Sequence, residues 1–323
     1  MTGKNTLYLR KWKISVVGKY GKTFILSDSE NEPRALRCTF CIEKALNQVP
    51  QYADITVYNL NGDTEAELIE EGQTIIVEAG YREGTFGTIY KGQVFQKIRD
   101  RENVVDYTLT FHCIDCLNVI ANEFVNFTMN DGGDQRSQIR EIARQATTPI
   151  EVGYLTPYIS DKKLPRGKTF FGEPKKFYRD ISLDNNAQLC FTDGKAHIVN
   201  LAFDPAPGTA LVITPETGLI GTPQQVQYGV TFTTLLDPRI QIFDKDHLMM
   251  VKLDMVLIRR QKIFQGQIQT MLDQDGIYRV IGVTYRGDTR GNEWYCEVMG
   301  VNRIGAIDAM LGTGINMEAI TGN

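Results

Sequence analysis

The sequence predicts a mainly β protein, a β fold with an α+β insert, in which two similar antiparallel β-barrels flank a mixed α/β module. Three observations carry this prediction. Apolar residues alternate with polar ones in the first third, adopt helical spacing after residue 113, and alternate again in the last third. We therefore place domain boundaries at 1–112, 113–205 and 206–302, and treat 303–323 as a C-terminal arm.

Period-two alternation predicts the strands of the first barrel. In the clearest strand, Val105, Tyr107, Leu109 and Phe111 alternate with polar residues, which is typical of an antiparallel sheet with one solvated face. The same pattern predicts strands around 12–16, 55–57 and 75–79. A short helix is expected at 63–71.

Helical spacing marks the middle module. Apolar residues at i, i+3, i+4 and i+7 predict an amphipathic helix over 117–124 with Asp115 as its cap, and a second helix that Asp134 caps. A third, short helix is expected around 177–181. The stretch 147–174, rich in Pro, Gly, Lys and Tyr, predicts a long loop.

Alternation returns near the end of the chain. Asp193-Gly194 predicts a hairpin turn at the close of the middle module. Strands are then expected over 225–232, 277–285 and 294–298, which build the second barrel.

A segment of the first barrel recurs in the second. The sequence IYKGQV at 89–94 matches IFQGQI at 263–268 with conservative substitutions only, at an offset of 263 − 89 = 174 residues. Glycine inside a strand marks a bulge or a tight corner, which a small barrel needs. We therefore expect a duplicated β unit, in which 55–111 and 228–299 superpose and Gly92 corresponds to Gly266.

Composition and charge are those of an ordinary globular chain. Of 323 residues, 42% are hydrophobic and 23% are charged, which excludes wholesale disorder. The net charge is −4, whereas proteins that grip nucleic acid are normally basic. No apolar run approaches the roughly 18 residues of a membrane span, and residues 1–10 lack the apolar segment of a signal peptide. We expect neither membrane insertion nor secretion.

No motif predicts catalysis or cofactor binding. The segment 17–23 resembles a phosphate-binding loop only at its end, because Val16 stands where the pattern needs glycine; a hairpin turn is the better interpretation. His112, His197 and His247 are scattered and show no metalloprotease spacing. We predict no catalytic, cofactor-binding or metal-binding residues.

Two C-x-x-C pairs leave one alternative open. Cys38, Cys41, Cys113 and Cys116 could together supply a four-thiolate zinc site, which would make the chain a zinc-stabilised structural module. Residues 37–41 are predicted as a strand, however, in which side chains three apart face opposite sides. We prefer the interpretation that all four are buried free thiols.

Several segments resemble the baseplate hub proteins of contractile-tailed bacteriophages. Their specificity lies in their combination and order across about 100–300. They are DYTLTFHCID at 106–115, RGKTFFG at 166–172, GLIGTPQQ at 218–225, LDPRI at 236–240, DGIYRV at 275–280 and GDTRGNEW at 287–294.

The resemblance implies a structural virion protein with two tail-tube-like barrels per chain, assembled as a homotrimer. Three chains present 3 × 2 = 6 similar units around an axis, which would join a sixfold tail tube to a threefold spike and leave a channel for DNA. The implied partners are the tail tube protein, the central spike protein and neighbouring baseplate proteins, with DNA only as passing cargo. The implied location is the virion baseplate, after assembly in the host cytoplasm.

A second hypothesis is a tail-associated enzyme that degrades the cell wall. A glycosidase of this kind needs two carboxylates about 5–9.5 Å apart in a groove, an arrangement that sequence spacing does not reveal. The sequence therefore leaves three hypotheses about function: a structural hub, a wall-degrading enzyme and a zinc-stabilised module.

Overall fold

The computed structural model describes residues 9–17, 23–27, 36–47, 50–62, 71–117, 123–146, 150–205, 208–226, 229–244, 247–254, 258–259 and 275–302. The chain folds into two compact units. We call residues 1–46, 51–114 and 206–323 the sheet unit, and residues 47–50 and 115–205 the middle unit. The predicted helix over 63–71 and the arm at 303–323 lie outside the described residues, apart from Glu71.

The chain is mainly β, as predicted. The strands before the middle unit are β1 (Arg10–Val17), β2 (Thr23–Ser27), β3 (Cys38–Ala45), β4 (Tyr52–Tyr58), β5 (Thr74–Tyr81), β6 (Phe86–Arg101) and β7 (Tyr107–Ile114). The middle unit contains β8 (Val125–Met129), α1 (Gln135–Gln145), β9 (Glu151–Leu155), β10 (Lys168–Gly172), α2 (Pro174–Asp184), β11 (Gln188–Thr192) and β12 (Lys195–Val199). After it come β13 (Leu211–Ile213), β14 (Leu219–Val226), β15 (Gly229–Leu235), β16 (Phe243–Asp244), β17 (His247–Leu248), β18 (Met250–Leu253), β19 (Ile277–Asp288) and β20 (Trp294–Val301).

One continuous sheet joins the strands on both sides of the middle unit. Its order is β14-β15-β20-β19-β3-β4-β7-β6-β5-β1-β2, and β18 and β13 branch from β19. Residues of both flanks, among them Phe40, Phe111, Tyr278 and Tyr285, share one buried hydrophobic cluster. The flanks are thus joined by backbone hydrogen bonds and by a common core, and the closure of each flank as a separate barrel stays a prediction.

The same strand order occurs twice in this sheet. In the first repeat it is β3-β4-β7-β6-β5-β1, and in the second it is β14-β15-β20-β19-β18-β13. If the six strands of each repeat are numbered 1 to 6 in chain order, both repeats have the sheet order 2-3-6-5-4-1. They differ only at the end of the path, since β1 runs antiparallel to β5 whereas β13 runs parallel to β18.

The register of β4 with β7 also agrees with that of β15 with β20. Tyr52 of β4 lies opposite Ile114 of β7, just as Gly229 of β15 lies opposite Val301 of β20. Both registers continue without a shift along the whole of β4 and β15. The duplication is therefore visible at the level of single residue pairs.

A β-bulge occupies the same place in each repeat. The β6–β7 register shifts between Val94 and Gln96, and the β19–β20 register shifts between Val280 and Gly282. Because bulges bend the strand that contains them, β6 and β19 each have two parts. The first part pairs with β5 or β18, and the second part pairs with β7 in the first repeat and with β20 and β3 in the second.

The register corrects the predicted alignment of the repeats. Gly92 lies two residues before its bulge, and the residue two positions before the other bulge is Tyr278. Gly266, the predicted counterpart of Gly92, lies outside the described residues. An apolar–Gly–Gln pattern is so short that it can recur by chance. A hydrogen-bond register, in contrast, assigns a partner to every residue of a strand and so defines the alignment.

The predicted strand over 225–232 is in fact a hairpin. β14 ends at Val226, β15 begins at Gly229, and these two residues pair with each other. The alternation of apolar and polar residues continues through the turn, so the sequence pattern does not indicate that the chain reverses there. The hairpin predicted in place of a phosphate-binding loop is confirmed, because Val17 of β1 pairs with Thr23 of β2.

The middle unit confirms several local predictions. The Asp134 carboxylate caps α1 by accepting the backbone N–H of Ser137 at 2.7 Å. The helix expected around 177–181 is α2. Asp193 and Gly194 form the β11–β12 turn with φ of 53° and 82°, values that suit a tight hairpin. Asp115 accepts the backbone N–H of Gly194 at 3.0 Å, and most of the helix it was predicted to cap lies outside the described residues.

The prediction of a long loop over 147–174 was wrong, because β9 and β10 lie within it. β9 pairs with β12 and β10 pairs with β8. The β8–β10 pair is held by stacked Phe127 and Phe170 rings, 4.9 Å between centroids, and by a 3.0 Å hydrogen bond between the hydroxyls of Thr128 and Thr169. Each strand depends on a partner distant in the chain, which local composition does not reveal.

Candidate functional site

The two repeats meet edge to edge in a seam between β19 and β3, which we call the internal seam. It is antiparallel and extends from the pair Gly282–Ala45 to the pair Asp288–Thr39. At one end the backbone N–H of Leu46 donates to the carbonyl of Ile281 at 2.7 Å. The internal seam places two copies of one strand arrangement side by side in a single sheet.

Charged side chains fix the β19–β20 turn on the first repeat. Arg37 donates to both carboxylate oxygens of Asp288, with Nη2–Oδ2 at 2.7 Å and Nε–Oδ1 at 3.3 Å. Arg10 donates to the carbonyls of Asp288 and Gly291 at 2.9 and 2.6 Å. The backbone N–H of Thr289 donates to a carbonyl of β3 at 3.0 Å. The GDTRGNEW segment is therefore part of the internal seam.

The Asp288 carboxylate is stabilised in its ionised form. Burial alone would raise the pKa of Asp288, but hydrogen bonds from Arg37 and from the backbone N–H groups of Arg290 and Gly291 outweigh that effect and leave the pKa below its ordinary value. In return, the hydrogen bond to Asp288 raises the pKa of Arg37. The ion pair across the internal seam is thus charged on both sides at neutral pH.

We expect Asp288→Asn to lower the free energy of unfolding by about 1–3 kcal/mol at neutral pH, because the guanidinium of Arg37 loses its charged partner. Because the folded-state pKa is lowered, the ionised carboxylate stabilises the fold above the unfolded-state pKa of about 3.9. This contribution is lost as the pH falls through the folded-state pKa, and the Asn variant should lack that part of the acid dependence. Urea unfolding followed by circular dichroism, from acid to neutral pH, measures both effects.

Glu151→Gln is the matched control. It removes an exposed ion pair in which Lys195 Nζ lies 3.5 Å from Glu151 Oε2. Pairs of this kind contribute less than about 1 kcal/mol. Equal losses for the two variants would contradict a special role for Asp288.

The LDPRI segment forms a second contact between the repeats. Asp237 and Arg239 make a bidentate ion pair, with Nη2–Oδ2 at 2.6 Å. The Thr85 hydroxyl, in the turn between β5 and β6, donates to Asp237 Oδ1 at 3.2 Å. The Gln241 amide donates to the carbonyl of Thr88 at 3.0 Å. A second of the segments that carry the resemblance therefore also joins the two repeats.

One face of the sheet is polar and continuous across both repeats. Paired residues on successive strands form rows on this face, and one row consists of Tyr295, Arg286, Cys41, Asp54, His112 and Gln96. Within it, His112 Nδ1 lies 2.6 Å from Asp54 Oδ1. The adjacent row adds the carboxylates of Glu297 and Glu43. Carboxylates therefore predominate on the polar face around the internal seam.

The end of the β6–β7 hairpin is exposed. All residues over 95–101 are exposed, beyond the part of β6 that pairs with β5. Among them Phe95 and Ile98 are 46% and 42% exposed, and Val104 in the turn is 83% exposed. The turn is fixed by Asp106, which accepts hydrogen bonds of 2.8 Å from the side-chain amides of Asn59 and Asn103. Three exposed apolar side chains within ten residues make this hairpin a candidate for contact with another molecule.

The middle unit exposes two pairs of aromatic rings. Phe124 and Phe171 pack edge to face with 4.8 Å between centroids, and Phe171 is 68% exposed. Tyr158 and Phe203 pack with 6.4 Å between centroids, and both are exposed. Exposed rings of this kind are suited to contact with a partner protein.

The cysteines of the zinc alternative are spread over different faces. Cys38 faces the core of the sheet unit, whereas Cys41 on the same strand faces the polar side. The β4 partners of Cys38 and Cys113 are four positions apart, or roughly 13 Å along the strand. Cys116 belongs to the middle unit. Burial raises the pKa of the Cys38 and Cys113 thiols, which disfavours the thiolate that zinc requires.

Within the described ranges, no three His, Cys, Asp or Glu side chains gather where they could hold a metal ion. In the same part of the chain, no helix has the length and the apolar character needed to cross a membrane.

Sequence reasoning missed Arg10, Arg37 and the exposed side chains over 95–101 of β6. Arg10 is 278 positions away from Asp288 in the chain, so no local spacing could connect them. The available signal was the GDTRGNEW segment itself, which has an acidic residue where β19 ends and the turn begins.

Comparison with solved structures finds this fold in tail proteins, one of them from a prophage. The 43 kDa tail protein of prophage MuSo2 from Shewanella oneidensis is 12% identical with a TM-score of 0.55, and the match covers 92% of this chain and 99% of that one. The tail protein from Neisseria meningitidis MC58 is 10% identical with a TM-score of 0.56, covering 94% of this chain and 99% of that one. At these identities the likeness shows the fold alone.

The family follows from the sequence. The family model described as "Baseplate hub gp41" matches residues 22–249, well over half of the chain, and the chain belongs to this family. No curated protein matches it in a sequence comparison. The predicted resemblance to baseplate hub proteins is confirmed, and the chain is a structural protein of the phage tail and a component of the virion.

Proposed function

We propose that this chain is the central hub of a contractile-tail baseplate, in which three copies form a pseudo-sixfold ring between the sixfold tail tube and the threefold spike. One observation carries the proposal: the sheet unit repeats one strand order in one register and joins the two repeats edge to edge. Three chains supply 3 × 2 = 6 repeats, and contacts of one kind that close after a full turn give a ring.

The polar face of the sheet would line the channel of this ring. DNA carries about one negative charge per 1.7 Å of duplex, so a wall that bound phosphates would slow its passage. The carboxylates of Glu43, Asp54 and Glu297 on the polar face favour passage over retention. DNA is thus cargo during ejection rather than a ligand.

The remaining parts of the proposal concern domains, partners and chemistry. Each repeat closes as a tube-like barrel, and the exposed aromatic pairs of the middle unit, together with the arm at 303–323, meet the spike and neighbouring baseplate proteins. Assembly takes place in the host cytoplasm. A structural family and thiols whose pKa is raised by burial support a hub without catalysis or zinc.

The proposal predicts a trimer. Static light scattering of the purified chain mixed with the spike protein of the same phage should give a hub mass of 3 × 36.5 kDa, about 110 kDa, within the complex. Averaged electron micrographs should show a threefold ring with six similar densities. A chain that stays monomeric in the presence of the spike would contradict the proposed function.

A further inference from the structure

Residues 161–184 of the middle unit are basic, in a chain that is otherwise acidic. The segment has seven Lys and Arg residues and four Asp and Glu residues, a net charge of 7 − 4 = +3. The rest of the chain has 28 cationic and 35 anionic residues, a net charge of 28 − 35 = −7. We call the seven cationic residues the basic surface: Lys162, Lys163, Arg166, Lys168, Lys175, Lys176 and Arg179. Such a separation of charge steers an acidic partner toward one surface.

The charges of the basic surface are available to a partner. Within the described ranges, no carboxylate oxygen lies at ion-pair distance from any of the seven side chains. Lys168 Nζ instead lies 4.9 Å from the centroid of the Phe170 ring and 3.5 Å from Gln138 Oε1. Neither contact neutralises its charge.

A cavity of about 230 Å³ opens within the basic surface. Its buried lining is apolar, since Phe170 is 0% and Ile181 is 3% exposed, whereas the exposed Lys162, Lys163 and Lys168 line it toward solvent. A cavity of about 150 Å³ between apolar side chains already holds a benzene ring. This cavity is therefore large enough for one aromatic or branched apolar side chain.

The loop that carries the lysines is held in place by hydrogen bonds. Leu164 accepts a backbone hydrogen bond from Gly132 and donates one to Gly133, both of 2.9 Å. The backbone N–H of Ser160 donates to Asn185 Oδ1 at 2.8 Å. A loop that is already ordered loses less conformational entropy when a partner binds, so the cavity is suited to tight binding.

We infer that the basic surface binds an acidic segment of the threefold spike, with one apolar side chain of that segment in the cavity and its carboxylates on the lysines. This inference rests on the proposed function and names the surface and the chemistry of its spike contact. The sheet unit contains two repeats, whereas the segment 161–184 occurs once in the chain. A trimer thus presents three basic surfaces, which matches a threefold partner and leaves half the subunits of a sixfold tube without a site.

Two carboxylates restrict how the segment binds. Asp180 and Asp184 of α2 also line the cavity, and Asp184 Oδ2 accepts a hydrogen bond of 3.4 Å from the Gln135 amide. Like charges placed side by side are unfavourable. The carboxylates of the spike segment should therefore contact the loop 160–168 rather than α2.

A lipid surface fits this arrangement less well than a protein segment. Phe171 is 68% exposed and follows Phe170 on β10, so its side chain points to the opposite face of the strand from Lys168 and Phe170. A helix or loop that lies on a membrane needs its exposed rings and its cations together at the interface. The separation of the two on β10 favours insertion of a single side chain between the lysines.

Charge reversal at the loop tests the inference. The probe is the purified spike protein of the same phage, titrated into the full-length chain by isothermal calorimetry. Lys162→Glu with Lys163→Glu should raise the Kd about tenfold or more, because the carboxylates of the spike then meet like charges. Lys162→Arg with Lys163→Arg keeps the charge and should bind within about twofold of the parent, whose Kd should rise with the concentration of NaCl.

The matched control is Arg140→Glu with Lys252→Glu. Both residues are exposed, and this variant changes the net charge by −4, as does the reversal of both lysines in the loop. It should leave the Kd for the spike unchanged. Circular dichroism and urea unfolding establish that all variants fold.

The outcomes separate the inference from the proposed function. A trimer that binds the spike equally well with Lys162→Glu and Lys163→Glu would overturn the basic surface and leave the proposed hub intact, as would an equal loss in the control variant. If the chain instead sediments with phosphatidylglycerol vesicles through these lysines while spike binding is unchanged, the partner is a lipid surface and the inference is wrong. A parent chain that neither binds the spike nor forms a trimer with it would overturn both.

Discussion

Truncation of Trp294 to alanine should cost about 3–5 kcal/mol of unfolding free energy. Trp294 begins β20 and is only 2% exposed. Its ring packs edge to face on Phe40 of β3, 5.6 Å between centroids, and Arg10 lies over it at 5.5 Å. The indole thus connects the second repeat to the first, and its removal leaves a cavity beside the internal seam.

Trp294→Phe is the informative companion. Among the described residues, the buried indole N–H of Trp294 has no hydrogen-bond partner. Phenylalanine keeps an aromatic ring against Phe40 and removes a donor whose burial is unfavourable, so its cost should be no more than about half that of alanine. Urea unfolding followed by circular dichroism compares the variants. Equal losses would show that the indole itself, rather than an aromatic ring, is required.

Gly229→Ala should lower the free energy of unfolding by about 3 kcal/mol, nearly as much as the truncation of Trp294. A Cβ atom at Gly229 would lie 2.8 Å from the Cα of Val301 and closer still to the carbonyl oxygen of Gly300. Both belong to the backbone of β20, so no side-chain rotation relieves the clash and β15 must move away from β20.

Gly208→Ala is the control for Gly229→Ala. A Cβ atom at Gly208 would meet nothing within 4 Å, so the substitution should change the midpoint of urea unfolding little. If Gly229→Ala unfolds at the same urea concentration as the parent, the close approach of β15 and β20 is not a constraint on the fold.

The predictable parts of this fold are those whose cause is local. The alternation of Leu109 and Phe111 identifies β7, Asp134 identifies the start of α1, and Asp193-Gly194 identifies a hairpin. Each signal depends on residues within a few positions of one another. Val105, which continues the alternation, lies outside β7 and is 77% exposed, because the turn chemistry of Asn103 and Asp106 ends the strand first.

The parts that sequence reasoning missed depend on distant partners. β9 and β10 become strands only through β12 and β8, and the internal seam joins residues about 240 positions apart, such as Glu43 and Thr284. The duplication itself was predicted, but from a hexapeptide whose second copy does not determine the alignment. The residue correspondence between the two repeats follows from the bulges after Val94 and Val280. No residue pattern in the sequence predicts these bulges.

The covalent linkage of two repeats has a kinetic consequence for the proposed ring. Three of the six junctions are intramolecular, formed at the high effective concentration of a tethered neighbour, so they are complete before any encounter between chains. Closure then depends on the third power of subunit concentration rather than the sixth. Tandem fusion would thereby let the proposed ring form at a lower subunit concentration, and would allow the two classes of junction to diverge in charge.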